Sequence, residues 1–503
     1  MNKNMKLIIG LMLVIPLMFT SCKEDLADMN WDPNASSTIP YNSEFLYVQA
    51  AVHGTSGQFV MAFYATAMQQ LAAVTQGQAI GDKYTFASDN PGSFAYSPTY
   101  TGAIKEVVNL IDRTKDDPEL SNYYNIARIM KVYTFAWLTD TWGDTPYFEA
   151  GMGYLDLNFT PVYDSQESIY MDFFKELSEA ITALDPAKVT YDGSDSYYSG
   201  DITKWKKLGY SLMARLAMRI QKVEPALAEQ WFNTAISGGV FTSNADNQIF
   251  HHDASSSQNP INSSMQSNFN RFRVSKYFID VLTNTGDPRL DIFAENFDKH
   301  EVGPRPLYGI PNGCDETTME YPANNPLGLT WNQWAYFNRT ILDNLGAPDI
   351  GLNYSEMCFL KAEAVLRGWI TGDATALYNE GVKASMTQWG IYSGIVVPTQ
   401  AQIDAYLAAN PFDGSYEMIG NQMYLTFWRD YREVFSNWRR TGFPVLTPVN
   451  YPGNVTGGTI PRRIPYNNFG CTTSTELNKA NYEAAVARQG PDTFTTRVWW
   501  DKE

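Results

Sequence analysis

Cysteine, histidine and charge are all scarce in this chain. Its 503 residues hold four cysteines: Cys22, Cys314, Cys358 and Cys471. Cys22 belongs to the leader described below, and three remaining thiols cannot all pair, so a disulfide framework is excluded. No Cys or Cys/His spacing of the structural-metal kind is present. Cys358 lies in a helical pattern and reads as core; a Cys314–Cys471 bond stays open. The four histidines form no Ser-His-Asp or Cys-His arrangement. Adjacent His251 and His252, with Asp253, sit in a Ser/Asn-rich stretch and read as a solvated polar loop, not a metal site. There is no Gly-rich phosphate loop and no other cofactor motif. Charged residues make up only 18%, and the balance of 37 basic to 54 acidic gives a net charge of −17. With no basic run, a nucleic-acid footprint is excluded. The acidity favours neutral ligands over anionic ones.

Long apolar runs are absent after the first 25 residues, so nothing there predicts a membrane span. The first residues are a different matter. Lys3 and Lys6 precede an apolar run from Leu7 to Phe19, too short for a stable span, and Thr20 and Ser21 lead into Cys22. This is the layout of a lipoprotein signal (1–21), with lipid expected on Cys22 and a tether over 22–40. Phe19 departs from the commoner Leu. Lys23, Glu24 and Asp25 resemble the sorting signal of Bacteroidetes lipoproteins that reach the outer face of the outer membrane.

What the chain has in abundance is aromatic residues, 14%, with 31 Tyr and 13 Trp. A flat apolar face with a polar edge suits both packing and exposed binding surfaces. Helical periodicity dominates. Ile126, Met130, Tyr133 and Trp137 share one face, as do Ile169, Phe173, Leu177, Ala180 and Leu184 behind an Asp164/Glu167 cap. Trp205, Leu208, Leu212 and Leu216 mark a helix opened by Asp201 and closed before Pro225. The unit 353–389 predicts two helices in a hairpin, with caps at Asn353/Glu356 and Asp373, a stop at Gly372, and an end at Gly390. Its size is that of a tetratricopeptide hairpin, but no fixed-period repeat recurs. One large domain over 41–503 is expected, interrupted by Gly/Pro-rich, aromatic-rich loops at 76–100, 240–270, 300–335 and 443–475.

Several segments together resemble the SusD/RagB family of outer-membrane nutrient-binding lipoproteins, in its SusD-like second branch. They are 126–148 with Trp142, Gly143, Asp144 and Pro146; 203–220; Asp287, Pro288, Arg289 and Leu290; and 352–368 with its Tyr-Ser-Glu start. The last two are Arg462 to Pro465, where Asn467 replaces a family Pro, and the closing Arg497, Val498, Trp499, Trp500 and Asp501. The resemblance spans nearly the whole chain after Asp25. It implies an all-α superhelix of irregular tetratricopeptide-like hairpins with a loop-rich ligand-binding half. It also implies capture of an oligosaccharide and its delivery to a SusC-like TonB-dependent transporter, over which the protein sits as a lid.

Sugar rings stack on aromatic faces and their hydroxyls are read by amides, so a site should combine exposed Trp or Tyr with Asn or Gln on loops. Two places fit: Asp82, Tyr84, Phe86, Phe94, Tyr96 and Tyr100, and then Trp331, Asn332, Gln333, Trp334, Tyr336, Asn338 and Arg339. Trp331 and Trp334 lead, followed by Tyr336, Asn338, Tyr84 and Tyr96. Each of these rings has the alternative of packing its loop onto the helices. A peptide ligand is the second reading. A glycoside hydrolase is a third, but it needs two carboxylates about 5–10 Å apart across a cleft. Glu356 and Glu363, two turns apart on one helix face, could look like such a pair, but a cap and an ion pair account for them.

Overall fold

The computed structural model describes residues 39–503 except 56, 76–80, 86–94, 268–270, 297–305, 316, 319–324 and 467–476. The leader, Cys22, Phe86, Phe94 and Cys471 lie outside the described residues. About 54% of the chain is helical. The long helices are α1 (Tyr41–His53), α2 (Lys105–Thr114), α3 (Ser121–Trp142), α4 (Gln166–Ala183), α5 (Ile202–Arg219), α6 (Pro225–Gly238), α7 (Pro260–Ser267) and α8 (Lys276–Asn284). The C-terminal half adds α9 (Tyr354–Leu366), α10 (Ala374–Thr387), α11 (Gln400–Ala409), α12 (Tyr416–Thr426), α13 (Tyr431–Thr441) and α14 (Lys479–Gln489). Sequential neighbours pack as antiparallel hairpins: α2 with α3, α3 with α4, α5 with α6, α9 with α10, and α12 with α13. The apolar stripes face inward: Ile169, Phe173, Leu177 and Ala180 on α4, and Trp205, Leu208, Leu212 and Leu216 on α5, are all buried.

The caps explain the boundaries. Asp201 accepts from the Thr203 and Lys204 amides at the start of α5, and Asp373 from Thr375 and Ala376 at the start of α10. On α4 the cap is Ser165, which accepts from the Ser168 amide, not Asp164. Asp164 instead accepts from the Tyr147 and Phe148 amides. On α9 Asn353 accepts from the Glu356 amide as expected. The Glu356 side chain does not reach back; it is fully buried against Arg215, at 2.6 and 2.5 Å. The expected stop at Gly372 comes earlier. Helix α9 ends at Leu366 because Gly368 takes φ +76, a left-handed turn open to glycine, so Trp369 lies beyond the helix.

The segments that carry the family resemblance are held by buried charge pairs. Arg289 grips Asp287 at 2.5 Å and also donates to Ser385 and Gln422, tying the Asp-Pro-Arg-Leu turn to α10 and α12. Glu363 is gripped by Arg440 at 2.8 Å and by Arg367. Arg219 of α5 holds Glu433 of α13. In the closing segment Arg497 pairs with Asp501, and Arg439 lies over the buried Trp500 ring at 4.7 Å. Removing one partner of such a pair strands a buried charge and costs about 3–5 kcal/mol. These motifs specify how the hairpins dock.

Strands are short and paired antiparallel: β1 (Leu71–Ala73) with β5 (Phe272–Val274), β2 (Thr145–Pro146) with β3 (Tyr163–Asp164), β4 (Ile249–Phe250) with β8 (Asp349–Ile350), and β6 (Ala294–Asn296) with β7 (Ala335–Phe337). Among the described residues no helix is long and apolar enough to cross a membrane.

Candidate ligand-binding face

The loop-rich half is organised around a small backbone platform. Leu71 pairs with Val274 in the β1–β5 ladder. On the other side of β5, Ile310 joins in parallel to Ser275, its amide donating to the Val274 carbonyl. The Ala335 amide of β7 then donates to the Tyr308 carbonyl at 2.7 Å, and β7 pairs with β6. Five segments far apart in sequence thus lie side by side. The turn Trp331–Gln333 sits directly before β7, where the Gln333 side chain accepts from the Thr330 amide.

This platform decides which of the sequence candidates face solvent. Trp334 is only 4% exposed and packs beneath the turn against Ala72, Val74, Ile310 and Cys314. Tyr336 is buried within β7, with Arg273 and Arg339 over its ring at 5.1 and 5.4 Å, and burial pushes its phenol up to about 12. Asn338 is buried as a helix cap, accepting from Thr340 and donating to the Asp291 carbonyl. Tyr84 is buried at φ +52. Its hydroxyl accepts from the Val449 amide and its carbonyl from the Val455 amide, so it staples the 443–459 loop. Tyr96 is half-buried against Tyr100 and Trp142, its hydroxyl bonded to Thr145. The exposed ring faces expected at Trp334, Tyr336 and Tyr84 are therefore covered, because these rings belong to the platform or staple a loop to it, while Tyr96 is half-buried against Trp142 of α3. Trp331 packs against the same cluster as Trp334 but is less covered. It is half-buried, with Asn332 and Gln333 exposed beside it.

Sequence reasoning passed over two tyrosines of the loop-rich half. Tyr308 is exposed and bonded through its carbonyl to β7. Tyr451 is half-buried, donates to Asp315 at 2.6 Å and has Lys83 over its ring. Burial works against the Asp315 carboxylate, but hydrogen bonds from Thr317 and Tyr451 hold it below the usual range. The signal for both was a lone Tyr in a Gly/Pro-rich loop, which is weak. Cys314 is a buried free thiol, pushed up to about 11 by burial.

A separate cavity of about 90 Å³, room for several waters, lies among α1, α3, α5 and α13 and is lined by His53, Asp140, Arg215, Arg219, Asp430 and Glu433. Its carboxylates are engaged. Asp349, at its edge, accepts from His252 at 3.0 Å and from Asn259 at 2.8 Å, with His53 at 3.5 Å. His252 is therefore buried, not solvated, a correction that no local sequence pattern announced. Burial lowers the His53 pKa and raises that of Asp430 to about 6. Among the described residues no three His, Cys, Asp or Glu side chains are grouped to hold a metal.

The profile of the SusD-like family, described as starch-binding and associating with the outer membrane, matches residues 34–467. The chain belongs to the SusD-like family. A solved structure titled a chitin-binding protein superposes with a TM-score of 0.82 at 33% identity, covering 92% of this chain and 100% of that one. A Bacteroidetes SusD-like structure gives 0.81 at 25% identity, with 92% and 100% covered. A chitin-binding SusD homologue from Flavobacterium johnsoniae shares the fold, at 0.77 and 23%, with 92% and 99% covered. No curated protein sequence matches the chain.

Proposed function

We propose that this SusD-like protein is a surface lipoprotein that binds an oligosaccharide and passes it to a SusC-like TonB-dependent transporter, without cleaving it. The ligand class we favour is chitin-type oligosaccharide. One observation carries that choice: the likeness to the chitin-binding protein, 33% identical along the whole of that chain with a TM-score of 0.82. The Trp331 turn supplies the chemistry, with one ring face for a sugar ring and the amides of Asn332 and Gln333 for hydroxyl or acetamido groups. Exposed Tyr308, whose carbonyl accepts from β7, is the second candidate ring. The net charge of −17 suits a neutral glycan. The hydrolase reading finds little support, since Glu356 and Glu363 are both locked in arginine pairs. A peptide ligand is favoured by no observation of its own.

The test is calorimetric titration of the soluble domain with chitohexaose, cellohexaose and maltohexaose, followed by chromatography of the mixture. We expect chitohexaose to bind and to be recovered intact. Shortened products would establish an enzyme, and binding of maltohexaose alone would move the ligand to starch.

A further inference from the structure

The cavity among α1, α3, α5 and α13 holds more positive charge than its carboxylates use. Arg215, Arg219, Arg429 and Arg432 line it, and so do Asp140, Asp349, Asp430 and Glu433. The two sets do not pair off one to one. Arg215 grips Glu356, which lies outside the cavity wall, and Arg219 donates to Glu433 at 2.6 Å. Asp140 accepts from Tyr170 and Trp500, and Asp349 from His252 and Asn259. Asp430 accepts from the Glu433 amide at the start of α13, and burial favours its neutral form.

Arg429 and Arg432 are left over. Among the described residues neither forms an ion pair with a carboxylate. Arg429 is 9% exposed and donates only to neutral oxygens, those of Asn259 and Asn262, at 3.2 and 2.8 Å. Its Nε–H is buried without an acceptor. Arg432 donates to the Val52 carbonyl of α1 at 3.3 Å and lies over the Trp137 ring of α3 at 4.5 Å. The Trp137 indole N–H and the Arg219 Nη1–H, both on side chains lining the cavity, are also buried without acceptors. A buried guanidinium with no counter-charge is costly. The backbone adds to that cost, since Arg429 sits at φ +77, a left-handed conformation that disfavours any side chain. What the wall has in excess is N–H donors and positive charge. Water supplies acceptors but no charge, and each water brings two donors of its own. A single small anion supplies both acceptor and charge, and about 90 Å³ accommodates it. A divalent oxyanion is larger and would meet Asp349 and Glu433 on the same wall.

We propose that this cavity binds a small monovalent anion of the chloride class, held by Arg429 and Arg432, and that the bound ion ties the start of α13 to α1 and α3. The proposal does not depend on the glycan reading. Two measurements test it on the chain from Lys23 to Glu503: thermal melts in sodium chloride or sodium gluconate at one ionic strength, and crystals grown in bromide. Chloride should raise the melting temperature saturably, as a ligand of the folded state does, and gluconate, too large for the cavity, should not. Bromide should give an anomalous peak within hydrogen-bonding distance of Arg429 or Arg432. Arg432→Gln, at a part-exposed position, should still fold in gluconate and need about tenfold more chloride for half the rise. Lys479→Gln, which removes an exposed cation of α14, should respond to chloride as the wild type does. Equal melting in the two salts would overturn the site, as would an unaltered chloride response in Arg432→Gln. Water alone in the bromide crystals would overturn it too. A bromide peak with no chloride response in the melts would mean binding at crystal concentration only, which also overturns it.

Discussion

The indole N–H of Trp500 donates to Asp140 Oδ1 at 2.7 Å, joining the residue just before the C-terminal Asp-Lys-Glu to a helix residue 360 positions earlier. Tyr170 donates to the same oxygen, and Arg219 stands 3.3 Å from the other. The closing segment is therefore a clasp on α3. Trp500→Ala should lower unfolding free energy by about 3–5 kcal/mol. Trp500→Phe, which keeps a smaller ring beneath Arg439 and loses the hydrogen bond with part of the packing, should lower it less, by about 1–3 kcal/mol. Urea unfolding of both variants checks this; equal losses would mean that the ring retained in the phenylalanine variant adds nothing.

Trp331 and Trp334 stand three residues apart and should behave oppositely. Trp331→Ala is expected to weaken chitohexaose binding about tenfold or more with little change in melting temperature. Trp334→Ala should cost about 3–5 kcal/mol of stability through the cavity it leaves among Ala72, Val74 and Ile310. Calorimetric titration and thermal melts on each variant separate the two roles. Unchanged affinity in Trp331→Ala would move the site away from this turn.

Asp430 should leave a mark on the pH profile. Burial raises its pKa to about 6 from the ordinary 3.8, against the opposing pull of Arg215. Below about pH 4 folded and unfolded chains both hold this proton. Between about 4 and 6 the folded chain keeps it while the unfolded chain releases it, so this group's contribution to stability is lost as pH rises. Asp430→Asn preserves a capping side chain at the start of α13. The variant should gain on the wild type in melting temperature from pH 4 to 6.5. A constant difference across that range would show Asp430 ionised throughout.

Cys22→Ala should release the protein from the membrane fraction and reduce glycan uptake by cells, while the purified variant binds chitohexaose as the wild type does. Fractionation, uptake and calorimetry read the three separately. Retention in the membrane would mean that the anchor lies elsewhere.

The helices were legible because burial on one face imposes a period that sequence preserves, and Asp201, Asn353 and Asp373 cap where side-chain chemistry says they should. The cap at Ser165 was missed by one residue because Asp164, also a good cap, is used by the neighbouring loop. Site residues were less legible for a different reason. Aromatic and amide residues in a loop look alike whether they face ligand or core. In Ala335–Phe337 all three side chains are buried, since this strand is covered on both faces and shows no alternation. Burial of His252 depends on Asp349, 97 residues away, and no local window contains that pairing.

The backbone platform under Trp331 draws on segments near residues 71, 273, 309, 295 and 335, and Tyr84 fastens to it a loop from the 450s. Such non-local closure is the slowest kind to form. The helical hairpins, built from neighbours in sequence, have no such wait. During synthesis and export the binding face must therefore assemble after the local hairpins, once most of the chain has emerged. Its short ladders, with few hydrogen bonds each, also make it the first part to open in the folded protein, and amide exchange should be faster in β1 and β7 than in α5.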